Sequence, residues 1–170
     1  VKVCLERPDA EVSLGWDGFY RYQVKVEVTD AAGETQEGVL VLPVGEHAIG
    51  LQIKGLAGKV AREKLDKMQV QALNMQQQPV ALDVVCSLYT LDEAGKKQQT
   101  VWVDTVKSGQ PFLPEAWMKL ASGKYLLEVT ACDEHGRPCR AEQEFVLFSL
   151  SDRVPPVKTV EWFYQDGTQL

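Results

Sequence analysis

The sequence predicts an all-β chain built around an antiparallel β-sandwich. Three observations carry that expectation. Apolar and polar residues alternate at period two in short segments along much of the chain. Turn-forming residues separate those segments at short intervals. One segment pattern also returns 103 residues later, from Tyr22 to Tyr125, which is the length of one sandwich domain.

The repeat joins residues 22–33 to residues 125–136. Tyr22, Asp30 and Gly33 match Tyr125, Asp133 and Gly136 without a gap, and Val26 matches Val129. Each copy follows a glycine, Gly18 or Gly123, and precedes a second extended apolar segment, at 39–42 or 145–148. Each copy predicts a β-hairpin. Tyr22, Val24, Val26 and Val28 alternate with polar residues, which gives one apolar face and one wet face. The Asp bonds its own backbone and the Gly accepts positive φ, so the chain turns there.

Between the copies the strands follow in order. Ile49, Leu51 and Ile53 alternate with small or polar residues, and so do Met68, Val70 and Ala72. Residues 74–79 form a loop with Gln76 to Gln78 at its tip. Residues 80–91 make a long strand with Leu82, Val84, Cys86 and Leu88 on one face. Residues 92–95 turn the chain and 98–106 pair back. Pro114 is placed to begin a short helix over 115–121, ended by Gly123. The mixed-charge run at 59–67 is a solvated connection or a helical turn.

This divides the chain into three parts. Residues 46–150 make one complete sandwich. Residues 1–45 supply the last strands of a preceding sandwich. Residues 151–170 hold the Pro155–Pro156 linker signal and the first strand of a following domain, or else pack back on residues 1–45 as one split unit. Val1, with no Met and no basic-then-apolar leader, leads us to expect an excised piece of a longer protein.

Composition narrows the function classes. Apolar residues make up 45% of the chain and charged residues 25%, the balance of an ordinary folded protein. A net charge of −6 argues against a nucleic-acid partner, which needs a basic face. No apolar run approaches the roughly 18 residues of a membrane-spanning helix. Two histidines leave little room for His-based catalysis, and no Ser/His/Asp set, Walker loop or glycine-rich cradle is present.

Residues 120–136, from Leu120-Ala-Ser-Gly123 through Tyr125 to Asp133 and Gly136, resemble the hairpin that closes a macroglobulin (MG) domain. Residues 18–33 resemble the same element of the domain before it. Residues 78–84 (Gln-Pro-Val-Ala-Leu-Asp-Val) are similar to the Gly-x-Pro-Val-x-x-Ala-x-Val hairpin of such domains, with Gln77 at the Gly and Asp83 at the last Ala. Residues 163–167, after the proline pair, resemble a linker in large bacterial alpha-2-macroglobulin-like proteins. The resemblance implies an immunoglobulin-like or fibronectin-like antiparallel sandwich of MG type. Another seven-strand module of that general class shares some of these motifs. The family traps proteases, in many members with a Cys-x-Glu-Gln thioester. Here Cys139-Arg-Ala-Glu142-Gln143 is one residue too long and lies on an expected strand.

The expectation is therefore a non-catalytic structural and protein-interaction module of an exported, periplasmic or cell-surface protein. Its partners would be neighbouring domains of the same chain, with a protease as the target of the parent protein. No catalytic residue, cofactor or metal site is expected. The alternative is a carbohydrate-binding or adhesin-type sandwich. It rests on Trp102: if Val101 and Val103 face the core, the Trp points outward as a platform for a sugar. Otherwise Trp102 packs on the short helix or on a neighbouring domain. Trp117 on that helix anchors it to the sheet. Cys132 and Cys139 bracket the second hairpin turn, and strands of equal length would place them opposite each other for a disulfide. Cys132, His135 and Cys139 lack a fourth metal ligand. Cys86 sits in an apolar stripe as a core residue, and Cys4 has no evident mate.

Overall fold

The computed structural model describes residues 20–44 and 48–157. Ten strands follow in chain order: β1 Tyr20–Thr29, β2 Thr35–Val44, β3 Ile49–Lys54, β4 Lys59–Ala61, β5 Met68–Asn74, β6 Asp83–Leu91, β7 Lys97–Lys107, β8 Pro111–Phe112, β9 Gly123–Cys132 and β10 Pro138–Phe148. Two 3₁₀ turns, Arg62–Lys64 and Glu115–Lys119, complete the regular structure among the described residues. The fold is all-β, as the alternation predicts, and every strand pairing except β4 with β10 is antiparallel.

Two sheets face each other between Ile49 and Phe148. One has five strands in the order β4-β10-β9-β6-β7 and the other three in the order β3-β5-β8. Period two decides what lies between them. Val84, Cys86 and Leu88 of β6, and Tyr125, Leu127 and Val129 of β9, are buried on one side. Ile49 and Leu51 of β3, and Met68, Val70 and Ala72 of β5, close on them from the other. Trp117 seals the remaining gap. It is fully buried, stacks on Phe145 at 5.1 Å between ring centroids, and meets Trp102 edge-on at 5.6 Å. Pro114 precedes a single 3₁₀ turn there rather than two α-helical turns, and Trp117 anchors it as expected.

The expected long strand over 80–91 begins three residues late. Residues 79–82 are the crossing between the sheets. Pro79 bridges to Leu73 and the Val80 amide donates to Ala72 O at 2.9 Å, so this stretch still follows β5. Ser108 then takes over: its hydroxyl donates to Val80 O at 2.6 Å and accepts from the Leu82 amide at 3.0 Å. One buried hydroxyl thus satisfies the backbone where the chain changes sheets. The 59–67 connection has the helical turn that is one of its two readings, and a short strand besides. It holds β4, which pairs parallel with the end of β10, followed by a 3₁₀ turn.

The repeated Asp and Gly have a local cause. Asp30, Asp92 and Asp133 each donate their amide to the carbonyl four residues on, and each accepts the amide of a glycine, Gly33, Gly95 or Gly136, at its own carbonyl. Each Asp carboxylate also accepts two amides of the turn. This is a type I turn closed by a left-handed residue. Asn74 builds a fourth copy with Gln77 in the glycine's place, at φ 63°. Since Asp92 and Gly95 belong to a third, internal hairpin, the matched Asp and Gly mark a turn type and not a domain repeat.

The rest of the match survives. β1 and β2 form a separate two-stranded sheet. Tyr22 lies across from Leu42, and Tyr125 lies across from Phe145, at the same distance from their turns. In β9 that face is the core, and the Tyr125 hydroxyl donates back to Ala121 O at 2.7 Å, like the tyrosine corner of sandwich domains. In β1 the same face carries Val26 and Val28, 51% and 62% exposed.

Candidate functional site

The turn geometry settles the cysteines first. The Asp133 turn pairs the residue before the Asp with the residue five after it, so Cys132 lies across from Pro138 and Cys139 across from Ala131. That offset of one residue puts the two side chains on opposite faces. Cys132 is exposed, Cys139 is buried and donates to Ala131 O, and both thiols are free. The expected Cys132–Cys139 disulfide is corrected accordingly. The same geometry separates Cys132 from Cys139 as metal ligands with His135, and no cluster of metal-ligating side chains occurs among the described residues. Cys139 and Gln143 both face inward, but four strand residues apart, about 13 Å. The Gln143 amide donates to Leu56 O at 2.6 Å, so that run ties the two sheets together.

Burial pushes the Cys86 thiol up to about 12, with the Asp104 carboxylate adding to it. Burial likewise raises Cys139. Neither is a nucleophile in waiting. Asp133 is held below the usual carboxylate range: burial opposes its charge, but the Arg137 and His135 amides and the Arg137 guanidinium outweigh it. It is a turn anchor.

Trp102 takes the second of its two expected places, against the short helical turn. The β6–β7 ladder runs in unbroken register from Asp83–Lys107 to Leu88–Trp102, and its irregularity comes only after that pair. Trp102 therefore lies on the inner side of β7, half-buried against Trp117, and Val103 is the residue turned outward, 58% exposed. Trp162, Cys4 and His47 lie outside the described residues.

On the outer face of the five-stranded sheet, Lys97 bridges Glu128 at 2.6 Å and Glu142 at 2.7 Å, and Arg140 joins both carboxylates. The Lys97 hydrogen bond, helped by Arg140, holds the Glu142 carboxyl at about 2. Lys97 also sits 4.8 Å from the Tyr89 ring centroid. Every charge here has an opposite partner, so the cluster laces β6, β7, β9 and β10 together rather than awaiting a ligand.

The two ends of the sandwich differ. At one end Ala48, Ile49, Val80 and Leu82 floor a groove of about 510 Å³, rimmed by Met75, Cys132 and Asp133. The chain enters the sandwich here. At the other end, Leu91, Gly123 and Lys124 line a groove of about 690 Å³ with Val154 to Val157. The chain leaves there, held by a polar clamp. Ser149 donates its amide to Asp152 and its hydroxyl to Glu63, Leu150 donates its amide to Glu63, and Ser122 links Asp152 to Arg62. The Ser149 hydroxyl lowers Glu63, and the Ser122 hydroxyl lowers Asp152. Of the candidate site residues Cys132, Cys139 and Trp102, only Cys132 lines either groove. The clamp was missed because its members lie far apart in the chain. No protein-family model matches the chain, and no curated protein matches it.

Proposed function

We propose that this chain is a non-catalytic structural and protein-interaction module, of MG type, from a serial array of sandwich domains in a large exported alpha-2-macroglobulin-like protein of bacteria. In this reading the parent protein is periplasmic or on the cell surface and traps proteases. One observation carries the proposal: a tyrosine stands on the same rung and the same apolar face of β1–β2 and of β9–β10, yet the first copy leaves exposed the face that is core in the second. A lone hairpin of two strands is marginal in water. It belongs to a sandwich whose other strands it would cover. The path of the chain supports the same reading. It enters at the Leu82–Cys132 end and leaves at the Leu91–Gly123 end, roughly 30 Å away along the nine residues of β6. Modules so connected string end to end.

Native-state hydrogen exchange on the 170-residue chain tests this. The amides of β3, β5, β6, β9 and β10 should exchange together through one cooperative unfolding, and those of β1 and β2 far sooner. Equal protection of β1–β2 with β9–β10 would show one unit and sink the reading.

A further inference from the structure

We propose that the free edge of β7 pairs with the same strand of a second copy of this chain, antiparallel about a two-fold axis at Val103. β7 has eleven residues and pairs with β6 alone among the described residues. In the separate hairpin β1 and β2 each leave an edge of ten residues; the other edges of the sandwich's own two sheets are β4, β3 and β8, of three, six and two residues. Edge strands of this length are normally guarded by charge, proline or irregular pairing. β7 has such guards at its ends. Lys97 and Lys107 close it, and the register shift lies near Val101. Between 101 and 106 the one charge is Asp104.

The backbone there is already turned outward. The Ser108 amide donates to Leu82 O at 2.9 Å, so alternation turns Thr105 away from β6, and its amide donates to the Asp104 carboxylate at 2.8 Å. Alternation then turns the amide and carbonyl of Val103 the same way. Across a two-fold axis at Val103, the two Val103 residues exchange both main-chain hydrogen bonds. Val101 meets Thr105, Trp102 meets Asp104, and Gln99 meets Lys107, so no like charges oppose each other. Shifting the axis by one residue to Trp102 would set Lys97 against Lys107. On the outer face, Val103 is 58% exposed and its diagonal neighbour Val85 is 39% exposed. Two copies join these into one apolar strip across the seam. The contact is small for a specific interface, so the expected dimer is weak and depends on concentration.

Sedimentation of the whole 170-residue chain over a range of concentrations should show a monomer–dimer equilibrium. Val103→Lys places two ammonium groups across the axis and should weaken association about tenfold or more. Val103→Glu should do the same, and an equimolar mixture of the two should restore dimers. That rescue requires residue 103 to face itself. Asp104→Ala frees the Thr105 amide and should tighten association. Val28→Lys, on the apolar face of the hairpin, should leave it unchanged. A monomer at every concentration, failure of the mixture to rescue, or loss of the dimer in Val28→Lys but not Val103→Lys would each overturn the proposal.

Discussion

Gln77 holds a backbone conformation suited to glycine, and replacing it should stabilise the protein. Its φ of 63° places an exposed residue with a long side chain where Gly33, Gly95 and Gly136 stand in the three sister turns, at 87°, 78° and 73°. The left-handed region costs a residue with a Cβ about 1–2 kcal/mol. Glycine gives back about 0.5–1 kcal/mol of this through the freedom it adds to the unfolded chain. The difference leaves Gln77→Gly more stable by about 0.5–1 kcal/mol, a rise of ~3–5 °C in Tm for a domain of this size. Gln77→Ala separates the backbone effect from loss of the side chain's own contact, since Ala keeps the strain. The sister turns supply the converse. An added Cβ at Gly95 or Gly136 meets nothing within 4 Å, so Gly95→Ala and Gly136→Ala should lose stability through φ alone. Thermal and urea melts of the five proteins, wild type included, give the comparison. If Gln77→Gly is no more stable than Gln77→Ala, or if the Gly→Ala variants melt with wild type, the turns do not share one energetics and the reasoning fails.

Trp117 is fully buried and its Nε1 has no hydrogen-bond partner among the described residues; Trp117→Ala should cost about 3–5 kcal/mol in urea unfolding, while Trp117→Phe, which removes the orphaned donor, should cost only about 1 kcal/mol. Glu142 is held at about 2 against its ordinary 4.5, so its contribution is full above the ordinary value and drains as pH falls toward 2. Glu142→Gln should therefore be less stable than wild type at neutral pH, and the gap should close in acid melts; because the pair is partly exposed, the effect should stay within about 1 kcal/mol. With Cys4 replaced by Ser, Ellman's reagent should find one thiol, Cys132, in the native protein and two more, Cys86 and Cys139, only after unfolding; a single reactive thiol after unfolding without reductant would reveal a bridge. Ser149→Ala removes a buried hydroxyl that Glu63 accepts, and should cost about 1 kcal/mol and speed proteolytic cutting after residue 150.

Much of the sandwich was legible because period two survives wherever one face is buried. The Ile49–Leu51 pair, the Met68–Val70–Ala72 stripe and the Val84–Cys86–Leu88 stripe are all core. What escaped the sequence was short or distant. β4 has three residues, and its partner in β10 lies more than eighty residues on. The clamp around Ser149 joins Glu63, Ser122 and Asp152 by contacts that no spacing announces. Trp102 has two readings because the alternation in Val101-Trp102-Val103 does not say which face is inner; pairing with Leu88 decides it.

The cysteines show a different kind of miss, since the information was present. An Asp followed three residues later by Gly fixes the turn, and the turn fixes the register: one residue before the Asp pairs with five after it. Thr29 with Thr35, Leu91 with Lys97 and Cys132 with Pro138 all obey. Even the Asn74 turn, which lacks the glycine, pairs Leu73 with Pro79. Counting outward from Asp133 therefore sets Cys139 across from Ala131 before any coordinates exist. It also sends Cys132 to solvent and Cys139 to the core, because neighbouring strand residues face opposite ways. The same count from Asp30 sets Tyr22 across from Leu42, as Asp133 sets Tyr125 across from Phe145. The turn alone accounts for that shared register. It does not account for a tyrosine at the same rung of both hairpins on the apolar face, and the case for two successive domains rests on that rung.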